Sequence, residues 1–189
     1  MQKIKKLEKS GFLKWNGEEV TELYEKIGEM KGTKGIDLCC APITKLPEHI
    51  GDLIYLKSLN LYRTQIVCLP DSMCRLNRLR VLSLGGTRIT KFPDVVLRLN
   101  QLEELDLRKT QISRLPDDIG NMKNLRILYL NETQITELPE SIGNLSNLKI
   151  LDLTDTPITR LPESIEKMDS LKILVLEGTE ISVKSDRIT

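Results

Sequence analysis

From residue 33 onward the chain repeats itself every 23 residues, and the phase never slips. Laid one upon another in steps of 23, the segments IDLCCAPITKLPEHI, LNLYRTQIVCLPDSM, LSLGGTRITKFPDVV, LDLRKTQISRLPDDI, LYLNETQITELPESI and LDLTDTPITRLPESI agree column by column. Ile recurs at Ile43, Ile66, Ile89, Ile112, Ile135, Ile158 and Ile181, and Pro at Pro47, Pro70, Pro93, Pro116, Pro139 and Pro162. Six units start at Thr33, Leu56, Leu79, Leu102, Leu125 and Leu148, and a seventh starts at Leu171. Periods of 20 to 50 residues mean a stack in which each unit touches only its neighbours, so a single central core is excluded.

Each unit has two halves of different period. Leu59 and Leu61 alternate with Asn60, which places the leucines on one side of a short strand and the polar residue on the other. Pro70 suits the first position of a helical turn, where it has no amide hydrogen to lose, and Met73, Leu76 and Leu79 follow at intervals of three. One coil cannot bury its apolar flanks alone; stacking covers them and bonds each strand to the next.

The pattern L-x-x-L-x-L followed by L-P-x-x-I-x-x-L resembles the leucine-rich repeats of intracellular proteins, in particular those of plant nucleotide-binding immune receptors and Ras-interacting scaffold proteins. The resemblance covers residues 33 to 181. It implies an α/β solenoid, a horseshoe with a parallel sheet on the concave face and short helical or 3-10 segments on the convex face. Residues 33–170 are then six regular repeats, 171–189 an incomplete terminal repeat, and 1–32 an N-terminal cap with a degenerate first repeat. In that last stretch Leu13, Trp15, Val20, Leu23, Ile27 and Met30 fall in the apolar columns, and Asn16 with Glu19 has capping-box spacing ahead of a helical face. Ile4 and Leu7 in MQKIKKLEK read as a short basic capping helix.

One column is polar. Thr64, Thr87, Thr110, Thr133, Thr156 and Thr179 stand where the usual repeat has Asn, whose amide serves buried backbone groups at the strand exit. A hydroxyl carries one donor and two acceptor lone pairs, so these threonines are expected to form an internal polar column serving the same turn. Ala41 interrupts it in the first full unit.

Composition narrows the function. With 28 basic and 27 acidic residues and a net charge of +1, no general attraction to nucleic acid or to acidic membranes is expected. No run is apolar enough for a signal peptide or a membrane-spanning helix. Cys39, Cys40, Cys68 and Cys74 form no C-x-x-C pair, and the cysteine caps of extracellular members of this class are missing. Reduced thiols and a cytoplasmic location are therefore expected. Asn131-Glu132-Thr133 and Asn144-Leu145-Ser146 match the glycosylation triplet but, with no secretory signal, are taken as coincidence. No phosphate-binding glycine loop or nucleophile elbow occurs, and the single His49 has no evident metal-binding companions. No catalytic residue, metal or cofactor is expected, and if the chain resembles a receptor it resembles the recognition part only.

What remains is the strand surface, where strands ~4.8 Å apart would bring equivalent residues side by side in a groove roughly 34 Å long. The column after the second strand leucine runs Asn16, Cys39, Tyr62, Gly85, Arg108, Asn131, Thr154, Glu177, and the next runs Gly17, Cys40, Arg63, Gly86, Lys109, Glu132, Asp155, Gly178. Basic groups gather centrally with Arg88 nearby, and acidic ones follow with Asp152. The expected protein-binding residues are Tyr62, Arg63, Arg88, Arg108, Lys109, Tyr129, Glu132, Asp152 and Asp155; tyrosine and arginine are favoured at binding hot spots. The expected function is non-enzymatic recognition of a protein partner. The rivals are an assembly module that self-associates through an open C-terminal edge, where Lys184 and Ser185 replace the Leu-Pro pair, and a fragment of a larger receptor or effector.

Overall fold

Each step of 23 residues supplies one short strand. The computed structural model describes residues 11–14, 27 and 30–181. Within them, β1 (Phe12–Lys14), β2 (Gly35–Asp37), β3 (Ser58–Asn60), β4 (Val81–Ser83), β5 (Glu104–Asp106), β6 (Ile127–Tyr129), β7 (Ile150–Asp152) and β8 (Ile173–Val175) form one parallel sheet in chain order. The register repeats the sequence period: Leu59 faces Leu82, Leu82 faces Leu105, and Leu105 faces Leu128. Since side chains alternate across a strand, these leucines point inward and are fully buried, while their strand neighbours face the concave surface. The ladder continues beyond the strands, with Leu61 N–H donating to Ser83 O at 2.9 Å and Arg63 N–H to Gly85 O at 2.8 Å.

The first strand carries the repeat one step before residue 33, pairing Phe12 with Gly35. Of the helix expected over residues 17–30, only Ile27 and Met30 are described, and Ile27 is fully buried. The expected capping helix at Ile4 and Leu7, and Lys184 and Ser185 at the far end, lie outside the described residues.

The outer halves are single 3-10 turns at Glu48–Asp52, Asp71–Arg75, Asp94–Arg98, Asp117–Asn121 and Glu140–Asn144, with one α turn, α1 (Glu163–Glu166), in the sixth unit. Three residues per turn aligns side chains at i and i+3, which is why apolar residues at intervals of three favour this form. Each proline lies one residue earlier than expected. Pro70 is extended, at φ −72° and ψ 146°, and caps the turn, its carbonyl accepting from Met73 N–H at 3.1 Å. An acidic residue follows each capping proline, Glu48 and Asp71 among them, at the end of the turn where negative charge is favourable.

The threonine column lies where the chain leaves the strand. Each hydroxyl donates to the leucine carbonyl three residues back in its own coil: Thr64 to Leu61, Thr87 to Leu84, Thr110 to Leu107, Thr133 to Leu130, Thr156 to Leu153 and Thr179 to Leu176, at 2.6–2.8 Å. The bonds are thus local, six separate closures instead of a chain running from coil to coil. Several of the same carbonyls also accept the threonine N–H, as for Thr64 at 3.1 Å, which makes L-x-x-T a β-turn. Its third residue has positive φ: Arg63 at 55°, Lys109 at 57°, Glu132 at 57° and Asp155 at 53°, with Gly86 at 66° and Gly178 at 70°. Positive φ at this position alone defines a type II turn. Ala41 keeps the turn through its N–H, 3.0 Å from Leu38 O, but supplies no hydroxyl.

Thr133→Val preserves shape while removing the donor to a buried carbonyl, so it is expected to cost ~1 to 3 kcal/mol. Thr136→Val, at an exposed position three residues on, should cost under ~0.5 kcal/mol. Equal urea midpoints for the two proteins would show that the column contributes nothing by hydrogen bonding.

The β8 end of the described sheet differs from its middle. Leu128 and Leu151 are fully buried, whereas Ile173 is 47% exposed and Leu174 and Leu176 are partly exposed. Among the described residues β8 pairs only with β7.

Candidate functional site

The concave face is built from two kinds of position: strand residues that point away from the core, and the turn residues that follow. At the end of each strand a polar side chain commonly folds over its own turn. Asn60 Oδ1 accepts from Tyr62 N–H at 3.0 Å, Asp106 Oδ1 from Arg108 N–H at 3.1 Å, and Asp152 Oδ1 from Thr154 N–H at 2.9 Å. This Asx-type bond fixes where the turn residues leave the sheet.

At the centre these positions converge. Asp106 is only 3% exposed; its Oδ2 accepts from Ser83 Oγ at 2.9 Å, and both its oxygens lie 3.0 Å from Arg108 Nε. The Arg108 guanidinium carbon stands 5.0 Å from the Tyr129 ring centre and 5.8 Å from that of Tyr62, and Arg63 stands 5.4 Å from Tyr62. These are cation–π distances. Partial burial disfavours the charged guanidinium, but the charge and hydrogen bonds of Asp106 outweigh it and hold the Arg108 pKa above its ordinary value. Arg108 therefore stays a cation throughout the working pH range, locked in one orientation by a nearly buried carboxylate beneath it.

Gly85 makes the cluster possible. A Cβ there would lie 2.9 Å from Tyr62 Cδ2, 3.0 Å from Arg108 Cγ and 3.0 Å from Asp106 Oδ1. The missing side chain lets Arg108 reach across a whole coil toward Tyr62.

The remaining expected residues do not all join this cluster. Lys109 Nζ pairs with Glu132 Oε1 at 3.0 Å between adjacent coils, both largely exposed, an arrangement worth little in itself. Asp152 is engaged with the backbone N–H and hydroxyl of Thr154, the latter at 2.6 Å. Asp155 occupies the positive-φ position of the next turn. Arg88 lies one residue beyond the turn threonine, and among the described residues it forms no ion pair with the cluster.

Two features escaped the sequence reading, which followed the columns after the second strand leucine and took from the strands themselves only Tyr129 and Asp152. One is Asp106, which organises the cluster. Its only sequence signal is an acid at an alternating strand position two residues before an arginine. The other is the strand-start column, where Val81, Ile127 and Ile150 are partly exposed and Ile173 is exposed, an aliphatic stripe along the same face interrupted by Glu104. Chemically, the surface offers a fixed planar cation, two phenols and apolar contact, which suits recognition. Among the described residues no group of three His, Cys, Asp or Glu could hold a metal ion, and no helix is long and apolar enough to cross a membrane.

A family model described as a leucine-rich repeat region matches residues 7–114 and 117–188, and the chain belongs to the leucine-rich-repeat proteins. Members of this class are typically binding scaffolds without enzymatic activity. A solved leucine-rich-repeat protein of Leptospira interrogans is 31% identical with a TM-score of 0.82; the match covers 85% of this chain and 41% of that one. The leucine-rich-repeat domain of the type III effector XopL is 28% identical with a TM-score of 0.75, covering 83% of this chain and 56% of that one. An internalin of Listeria monocytogenes, 21% identical with a TM-score of 0.70 over 86% of this chain and 45% of that one, shares the fold. The chain thus spans less than two thirds of each of these structures. No curated protein sequence matches it.

Proposed function

We propose that this chain is a non-enzymatic recognition module that binds a protein partner on its concave face, with Tyr62, Arg108 and Tyr129 as the central anchors. The observation that carries this reading is the Tyr62–Arg108–Tyr129 set standing on Asp106. Binding hot spots are enriched in tyrosine and arginine near the middle of an interface, and anchors held in place beforehand lose little entropy on binding. Arg63, Lys109, Glu132, Asp152 and Asp155 would line the surroundings, and Arg88 the margin. The four free thiols accord with a reducing compartment, hence with a cytoplasmic module in a signalling or immune setting.

With the partner captured from native extract and purified, Tyr62→Ala, Arg63→Ala, Arg108→Ala and Tyr129→Ala should each weaken binding by more than ~1 kcal/mol. Outer-face changes at Glu48 or Asp118 should leave it unchanged. Calorimetric titration decides: affinity lost by the outer-face proteins and kept by the concave ones would place the site on the other surface.

A further inference from the structure

Immediately before strands β2 to β8 runs a column that the cluster does not use: Lys34, Lys57, Arg80, Glu103, Arg126, Lys149 and Lys172, basic in six of these seven coils, with Gly11 in the same place before β1. Its backbone belongs to the sheet ladder, with Lys34 O accepting from Lys57 N–H at 2.7 Å and Lys57 O from Arg80 N–H at 2.8 Å. The side chains are therefore in register, on neighbouring coils ~4.8 Å apart. The six basic members are exposed. Like charges stacked opposite one another are destabilising, and among the described residues they are relieved at one place, where Glu103 lies 2.9 Å from Arg80 and 3.6 Å from Arg126. Among the described residues Lys34, Lys57 and Lys149 have no acidic partner. The acids that balance the net charge include those opening the outer turns, such as Asp71 and Asp94. The next column inward runs Gly35, Ser58, Val81, Glu104, Ile127, Ile150 and Ile173, an aliphatic stripe at Val81 and from Ile127 to Ile173, interrupted by Glu104.

We propose that this basic rim and the stripe beside it seat an amphipathic α-helix of a protein partner, acidic along one stripe and aliphatic along the next. The inference rests on the concave face being the binding surface and names the chemistry of what it takes. Charge complementarity selects the acid, since the rim carries stacked cations, of which Lys34, Lys57 and Lys149 have no acidic partner among the described residues. Geometry selects the helix. Three residues of helix rise ~4.5 Å and four rise ~6 Å, so acids at i, i+3 and i+7 keep step with cations repeating every ~4.8 Å. Alternate residues of an extended chain advance ~6.6 Å and fall out of step. From the strand-start column to the turn cluster is four residues, roughly 13 Å, enough for a helix ~10–12 Å across with the rim on one side and Arg108 on the other. Single-stranded nucleic acid fits less well, because from Val81 to Ile173 the column beside the rim offers no ring on which a base could stack, and Glu104 within it would repel phosphate.

The test uses three probes against the full chain by fluorescence anisotropy: a helical peptide with one Glu stripe and one adjacent Leu stripe, the same peptide with Gln for Glu, and an oligothymidine. The Glu peptide should bind about tenfold or more tighter than the Gln peptide, and its affinity should fall with added salt. A protein with Lys57→Glu, Lys149→Glu and Lys172→Glu should lose that preference, and Ile150→Ser should weaken the Glu peptide severalfold. Because these side chains are exposed or partly exposed, an unchanged melting curve serves as the folding control. Equal affinity for the two peptides, failure of the Glu peptide to bind, or retention of it by the reversed protein overturns the proposal. Tighter binding of oligothymidine than of the Glu peptide, lost on charge reversal, overturns it in favour of nucleic acid. A captured partner that is lost on Tyr62→Ala but kept by the reversed protein would leave the concave-face reading standing and remove this one.

Discussion

Leu128→Ala is expected to destabilise the protein by about 2 to 5 kcal/mol, the range for truncating a fully buried leucine when the surroundings collapse only partly. In a solenoid the effect has a further consequence. Leu128 sits between Leu105 and Leu151 in the sheet register, so its removal weakens two coil-to-coil interfaces in the middle of the stack. The same change at Leu174, in the terminal described strand and partly exposed, should cost under ~1.5 kcal/mol, since less area is lost and only β7 adjoins it. Urea denaturation with far-ultraviolet circular dichroism measures both. A second, lower transition for Leu128→Ala would mean that the stack has split into two cooperative blocks, and equal midpoints for the two variants would rule out the dependence on position.

The second large effect is expected at Gly120. A Cβ there would stand 2.3 Å from the backbone oxygen of Ser141 in the next coil, and at Gly51 2.2 Å from that of Ser72. Backbone cannot swing aside as a side chain can, so the two outer turns must separate. Gly120→Val should therefore cost at least about 1 to 3 kcal/mol. Gly32→Ala meets nothing within 4 Å and should change stability by less than about 1 kcal/mol, in either direction. Comparable losses at Gly120 and Gly32 would show that conformational freedom matters at these glycines and close packing does not. The outer turns need not all approach so closely. In the Gly51 column Cys74, Leu97 and Glu166 stand where Gly120 and Gly143 repeat the glycine, so tight Gly-to-Ser contact belongs to some coil pairs only.

How legible the molecule was depended on the range of the interaction. The solenoid, its register and its inward leucines were visible in the 23-residue period, because each column is a local choice repeated and a parallel stack pairs equal phases. The threonine column was visible as a polar intrusion among leucines, though whether its hydroxyls bonded along or between coils was not. The turn it closes left a mark too: Gly86 and Gly178 share the column of Arg63, Lys109, Glu132 and Asp155, and glycine is what a positive φ invites. The offset of Pro70, by contrast, is one residue, the scale at which an extended residue and a first helical residue look alike in sequence.

The concave cluster lay beyond that reach. Tyr62, Arg108 and Tyr129 could be placed on one face from their columns, but their convergence depends on Arg108 crossing the gap at Gly85 and on Asp106 holding it from below. Column lists treat each coil alike and so contain no information about a side chain that spans two of them. The sequence alone thus determined the stack and which residues face the groove, because periodicity encodes backbone phase. Only the tertiary structure decided which of those residues touch, because contact depends on side-chain length and direction across coils whose spacing the fold sets.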